Sequence, residues 1–158
     1  MLAPNQFTVG SLANAQPLSL VLPRRPGGPF VLVGWRGEEV VGLVVGPDNP
    51  FRSIRCAGNA NWVGLIVSNV RVEVDPVSMF DPNYDDLPSG ALVRRDSRLV
   101  AQAARESMSG PLVVTLADEL EDAGEQEAGF RHWHIVVGEG LDKQVLHTVD
   151  IRQPASPI

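Results

Sequence analysis

His132, His134 and His147 are the three histidines of this 158-residue chain. All three lie in one stretch, Phe130 to Ile151, which reads FRHWHIVVGEGLDKQVLHTVDI. Neutral imidazole is the commonest protein ligand for a metal ion. Three imidazoles on one tetrahedral ion, with the fourth position open to water, form a site that activates water or polarises a substrate. A divalent ion such as zinc or iron suits that donor set. Glu139, between the histidines in the chain, is the candidate general base or fourth ligand.

Two strands and a turn must position these groups. Phe130 to Val137 is rich in aromatic and β-branched residues, which suit a pleated surface. Gly138, Gly140 and Asp142 punctuate a turn, and Gln144 to Ile151 resumes the apolar pattern. Pairing Val137 with Gln144 gives an antiparallel register. It sets Ile135 opposite Leu146, His134 opposite His147 and Arg131 opposite Asp150. His132, His134 and His147 then share one face of the hairpin. The plainer reading is that strand histidines fill a half-buried surface and hydrogen-bond locally.

The HxH of His132 and His134, followed by Glu139, is similar to a metal motif of the cupins. The resemblance covers those three residues. Gln126 and Leu146 stand where the motif places glycine, and His147 is too close to serve a second motif. Membership is not assigned.

Composition narrows the function classes. The length suits one domain with a core large enough to fold without disulfides. Cys56 is the single cysteine, so no internal disulfide can form, which favours a reducing compartment such as the cytoplasm. Arg52 and Arg55 beside it could lower a thiol pKa, but a small buried side chain is the simpler role. The net charge of −6 disfavours a nucleic-acid binder. No run approaches the length of a membrane span, and the first residues lack a signal-peptide pattern.

Along the chain, residues 1–16 read as a loose N-terminal arm, 17–152 as a single β-rich domain and 153–158 as a C-terminal tail. Short extended runs recur between breakers such as PRRPGGP, GPDNP and AGNAN. The longest, Trp62 to Asp75, slips in its alternation near Ser68, which predicts a bend there. Asp96 is placed to cap a helix over 97–108, and Thr115 a short acidic one over 116–124. In the loop from Pro76 to Gly90, Asp81, Asn83 and Asp85 fall at the first positions of a calcium loop. Asp86 and Leu92 then break that pattern. Met79, Phe80 and Tyr84 in the same loop are candidate partner-binding residues.

These elements predict a mainly β fold, an antiparallel sandwich or barrel with one or two short helices; a small α+β domain is the alternative. Two functions fit. The first is a non-enzymatic binding or assembly module, homo-oligomeric, with no nucleic-acid or membrane partner. The second is a metal-dependent hydrolase or oxygenase built on His132, His134 and His147.

Overall fold

A run such as Glu39–Gly46, EVVGLVVG, is apolar at nearly every position, and a strand of that kind needs cover on both faces. The computed structural model supplies it. It describes residues 1–47, 50–83, 87–104, 113–118, 120 and 126–151. The first strands are β1 (Thr8–Ser11), β2 (Ser19–Pro23), β3 (Phe30–Arg36), β4 (Glu39–Gly46) and β5 (Ser53–Arg55). Next come β6 (Val63–Val67), β7 (Arg71–Val74), β8 (Met79–Phe80), β9 (Leu92–Arg95) and β10 (Arg98–Gln102). The last are β11 (Val113–Ala117), β12 (Ala128–Phe130), β13 (His132–Val137) and β14 (Gln144–Asp150).

The fold is mainly β, with antiparallel sheets, as the sequence predicts. The larger sheet runs β1-β6-β2-β3-β11-β10-β9-β12-β8, with β4 on β3 and β5 on β4. The smaller is β14-β13-β7. The main core lies between them. Trp133, Ile135 and Val149 of the small sheet join Leu20, Leu32, Leu43 and Leu92 of the large one. A second cluster covers the other face of β2, β3 and β4. There Val21, Val31, Val33 and Val44 meet Leu12, Ala15 and Cys56. Strict alternation along β2 to β4 sends one residue to each cluster in turn, which is why these runs are continuously apolar.

One feature joins the sheets. β7 pairs with β13 in the small sheet, and β8 pairs with β12 in the large one. The same two stretches of chain therefore cross from sheet to sheet side by side. The turn Pro76–Ser78 breaks one stretch, and Arg131 breaks the other. Ser78 closes the gap. Its hydroxyl donates to the Asp75 carbonyl at 2.7 Å and accepts from the His132 amide at 3.0 Å. Two residues on, Trp133 is fully buried, and its indole Nε1–H donates to the Gly90 carbonyl at 2.9 Å.

Several expectations need correction. Residues 97–104 are not helical, and 105–108 of the expected helix lie outside the described residues. Asp96 adopts φ 54 and turns β9 back on β10, pairing Arg95 with Arg98. An aspartate tolerates that left-handed backbone, so it makes a hairpin turn instead of a cap. Leu92 and Ala101 then meet across the hairpin, both buried. Of the acidic helix over 116–124, Leu116 and Ala117 belong to β11, and 119 and 121–124 lie outside the described residues. Helical content among the described residues is four three-residue 3₁₀ turns. Residues 1–16 are not a loose arm, because β1 pairs with β6 and Leu12 is fully buried. The tail 153–158 lies outside the described residues. The bend near Ser68 is present: Asn69 takes φ 57 and divides β6 from β7.

Trp133→Phe removes the indole donor, strands the buried Gly90 carbonyl and leaves a small void. The expected loss is about 2–3 kcal/mol in urea unfolding. An unchanged midpoint would show that this hydrogen bond carries no weight.

Candidate functional site

The hairpin forms where expected, but its register changes partway. Val137 faces Gln144 and Val136 faces Val145, as the sequence predicts. A bulge then sets in between Ile135 and Val136, opposite Leu146. Beyond it Ile135 faces His147, His134 faces Thr148 and His132 faces Asp150. One extra residue in a strand moves every later side chain to the opposite face. His147 therefore leaves the face of His132 and His134 and points into the protein with Ile135. The expected three-histidine convergence is not formed. Among the described residues, no group of three histidine, cysteine, aspartate or glutamate side chains is placed to hold a metal ion.

His147 has an inward role. Its Nε2 lies 2.9 Å from the Val45 carbonyl at the end of β4. A carbonyl cannot donate, so Nε2 carries a proton and donates it to Val45. The ring packs on Phe30, with centroids 5.2 Å apart, and against Gly46. Burial pushes its pKa below the ordinary value, and the bond to Val45 opposes that only in part.

His132 and His134 remain together on the outer face, ring centroids 5.1 Å apart and edge to face. His134 Nδ1 sits 2.8 Å from the Thr148 hydroxyl. His132 Nδ1 lies 3.5 Å from Asp75, and Asp150 is its neighbour across the ladder. Lys143 reaches over to Glu73 at 2.6 Å, and this hydrogen bond holds the Glu73 carboxyl below its ordinary pKa. A cavity of about 380 Å³ opens at the sheet crossing beside Asp75, Met79, Arg131, His132 and Asp150. Serine, histidine and aspartate thus meet there, but not as a nucleophilic trio. The Ser78 hydroxyl is engaged by the backbone on both sides, and His132 does not reach it through its ring.

The other candidates are dispersed. Glu139 is exposed in the turn two residues past the end of β13, beyond the left-handed Gly138 and away from His134. It lines a separate cavity of about 520 Å³ with Phe7 and Arg71. Met79 is exposed, whereas Phe80 is buried, with its ring against Gly129 and the Arg131 guanidinium 4.1 Å above it. Tyr84, Asp85 and Asp86 lie outside the described residues. Asp81 accepts the Asn83 amide at 2.9 Å, and Leu92 is a core residue. Cys56 is no nucleophile: burial, aided by Glu39, pushes its thiol up to about 11.

A family model described as "Uncharacterised protein y4lG" matches residues 9–157. The chain belongs to the y4lG family. A relative named "Uncharacterized protein y4lG", from Sinorhizobium fredii (strain NBRC 101917 / NGR234), is 43% identical over 147 residues. That match spans 92% of this chain and 91% of the relative. No solved structure matches. No helix among the described residues of this y4lG-family chain is long and apolar enough to cross a membrane.

One constellation gave no signal in the sequence. Arg24 and Arg25 in the β2–β3 turn stand beside Trp62, just before β6, around a cavity of about 690 Å³. Turn arginines and a tryptophan far away in the chain have no shared period. Only the pairing of β2 with β6 brings them together.

His147 generates a pH prediction. Its folded pKa lies below the ordinary 6.5, so between the two values the unfolded chain binds more protons than the folded one. Its contribution is complete above about pH 6.5 and is lost as pH falls below it. Unfolding free energy of the native chain should therefore drop more steeply between about pH 7.5 and 5.5 than that of His147→Phe. Parallel profiles would show that His147 does not couple to folding.

Proposed function

We propose that this chain is a non-enzymatic β-rich binding and assembly module that works in the cytoplasm as a homo-oligomer. The observation that carries this is the open edge of β14. The strand runs seven residues, Gln144–Asp150, and pairs with β13 alone among the described strands. An unpaired edge presents backbone N–H and C=O groups to a further strand. Two large apolar side chains flank this edge in water: Leu141 is fully exposed and Val145 is 53% exposed.

A second copy is the occupant that fits. Two β14 strands laid antiparallel across a two-fold axis offer each other the same unpaired edge of N–H and C=O groups. Such a contact is its own complement under a two-fold axis, and two-fold dimers are the commonest soluble oligomers. The bulge at Leu146 twists the edge and narrows the registers a second strand can take. The single cysteine, buried and free, suits a reducing compartment.

Light scattering coupled to size exclusion, over about 1–100 µM, tests the reading, because an associating species changes apparent mass with concentration. The native chain should exceed the monomer mass, and Leu141→Lys with Val145→Lys should return it to the monomer. A native chain that is monomeric throughout would sink the proposal.

A further inference from the structure

We propose that the cavity between the β2–β3 turn and Trp62 binds a small anion that carries a planar ring. The anionic group would sit on Arg24 and Arg25, and the ring on Trp62. This goes beyond the assembly reading and does not depend on it.

The turn is built to hold the arginines in place. Gly28 N–H donates to the Arg25 carbonyl at 3.2 Å, and Gly27 takes φ 82. Proline at the second position and a left-handed glycine at the third are the signature of a type II turn. Gly28 lies so close to Pro23 that an added Cβ would reach 2.6 Å from the proline Cβ, so the turn folds tightly on the end of β2. The opposite wall is equally fixed. Trp62 N–H donates to the Asn59 carbonyl at 3.1 Å, the Trp62 carbonyl accepts from Leu12 N–H, and the Asn59 amide donates to the Arg55 carbonyl. The indole packs in part on the second hydrophobic cluster, which braces it.

Apart from Asn59, the polar side chains of this cavity have no partner among the described residues. Carboxylates outnumber basic side chains in the chain, 19 to 13. Arg55, Arg71, Arg95 and Arg98 all have acidic partners. Among the described residues Arg24 and Arg25, both exposed, have none, and no acidic residue lines the cavity. The Asn61 amide and the Trp62 indole N–H likewise make no side-chain hydrogen bond among the described residues. Four sets of donors without acceptors therefore surround one volume. Guanidinium groups are suited to phosphate and carboxylate, which they can bind through paired N–H donors. The rest of the wall is apolar: Trp62, two prolines and Val63, which is 38% exposed. A flat ring placed there gains offset stacking on the indole. The volume of about 690 Å³ lies in the range of small-molecule sites.

Phosphate and carboxylate head groups share this chemistry, so the test includes both. The full chain is titrated calorimetrically with adenosine monophosphate, indoleacetate, ribose phosphate and adenosine. At least one of the first two should bind below about 1 mM, and whichever binds more tightly names the head group. Ribose phosphate, without a base, and adenosine, without an anion, should each bind at least about tenfold more weakly. Arg24→Gln with Arg25→Gln should weaken the ring-bearing anion by about tenfold or more. Both arginines are exposed on a turn, so this variant keeps its fold, which near-ultraviolet circular dichroism checks. Trp62→Leu should also weaken binding and remove the fluorescence change on titration. The proposal is overturned if neither ring-bearing anion binds below about 1 mM, if ribose phosphate binds as well as the nucleotide, or if the arginine variant binds undiminished.

Discussion

The paired crossing of β7–β8 and β12–β13 from one sheet to the other is the constraint on which the rest depends. A strand that leaves its sheet exposes backbone groups at the break, and such groups must find partners when they are partly buried. Here two strands turn together, so each break faces the other. Asp75 N–H reaches the His132 carbonyl, Arg131 N–H reaches the Ser78 carbonyl, and the Ser78 hydroxyl fills what remains. With the break satisfied, residues 128–130 can complete the large sheet while Trp133 and Ile135 reach the core from the small one. The main core is therefore closed by a ribbon that belongs to both of its walls.

The same geometry decides the fate of the histidines. Above the crossing, β13 has its Trp133 face in the core and its His132 face in water. β14 must then supply an inward side chain wherever β13 does. Val149 meets that demand opposite Trp133, and the bulge at Leu146 brings His147 to it opposite Ile135. The inward position brings a polar ring into a mostly apolar layer. It is tolerable because the ring is neutral and donates to a carbonyl of the facing sheet. His147 is thus a tie between sheets, and the two remaining histidines form a surface pair among Asp75, Asp150, Glu73 and Thr148.

Much of the fold was legible in the sequence because alternation and breakers report local geometry directly. Both sides of the His132 hairpin and the split near Ser68 follow from residue pattern. The register beyond the turn did not, since a bulge is one residue of slack that leaves no mark in composition, and it reverses a face. The Asp96 turn was missed because an aspartate before a mixed apolar and polar run serves equally as a helix cap or a left-handed turn residue. The long-range pairing of β9 with β12 selects the turn by giving β9 a sheet to join.

The placement of hydrogen-bonding groups divides the surface into two kinds of region. At the sheet crossing, serine, histidine and carboxylate stand close together, yet the serine hydroxyl is committed to the backbone and its neighbours hold one another. This is a residue set that looks chemical in composition and is architectural in use. Across the molecule, the turn after β2 shows the reverse. Its residues look like ordinary breakers, yet they hold two arginines beside an indole with no acidic partner, in a protein with carboxylates to spare. Exposed donors without a protein partner stay hydrated and can exchange water for a ligand in a concave volume. The proposed anion site accordingly lies where exposed donors face a concave volume, away from the histidines that first attract notice.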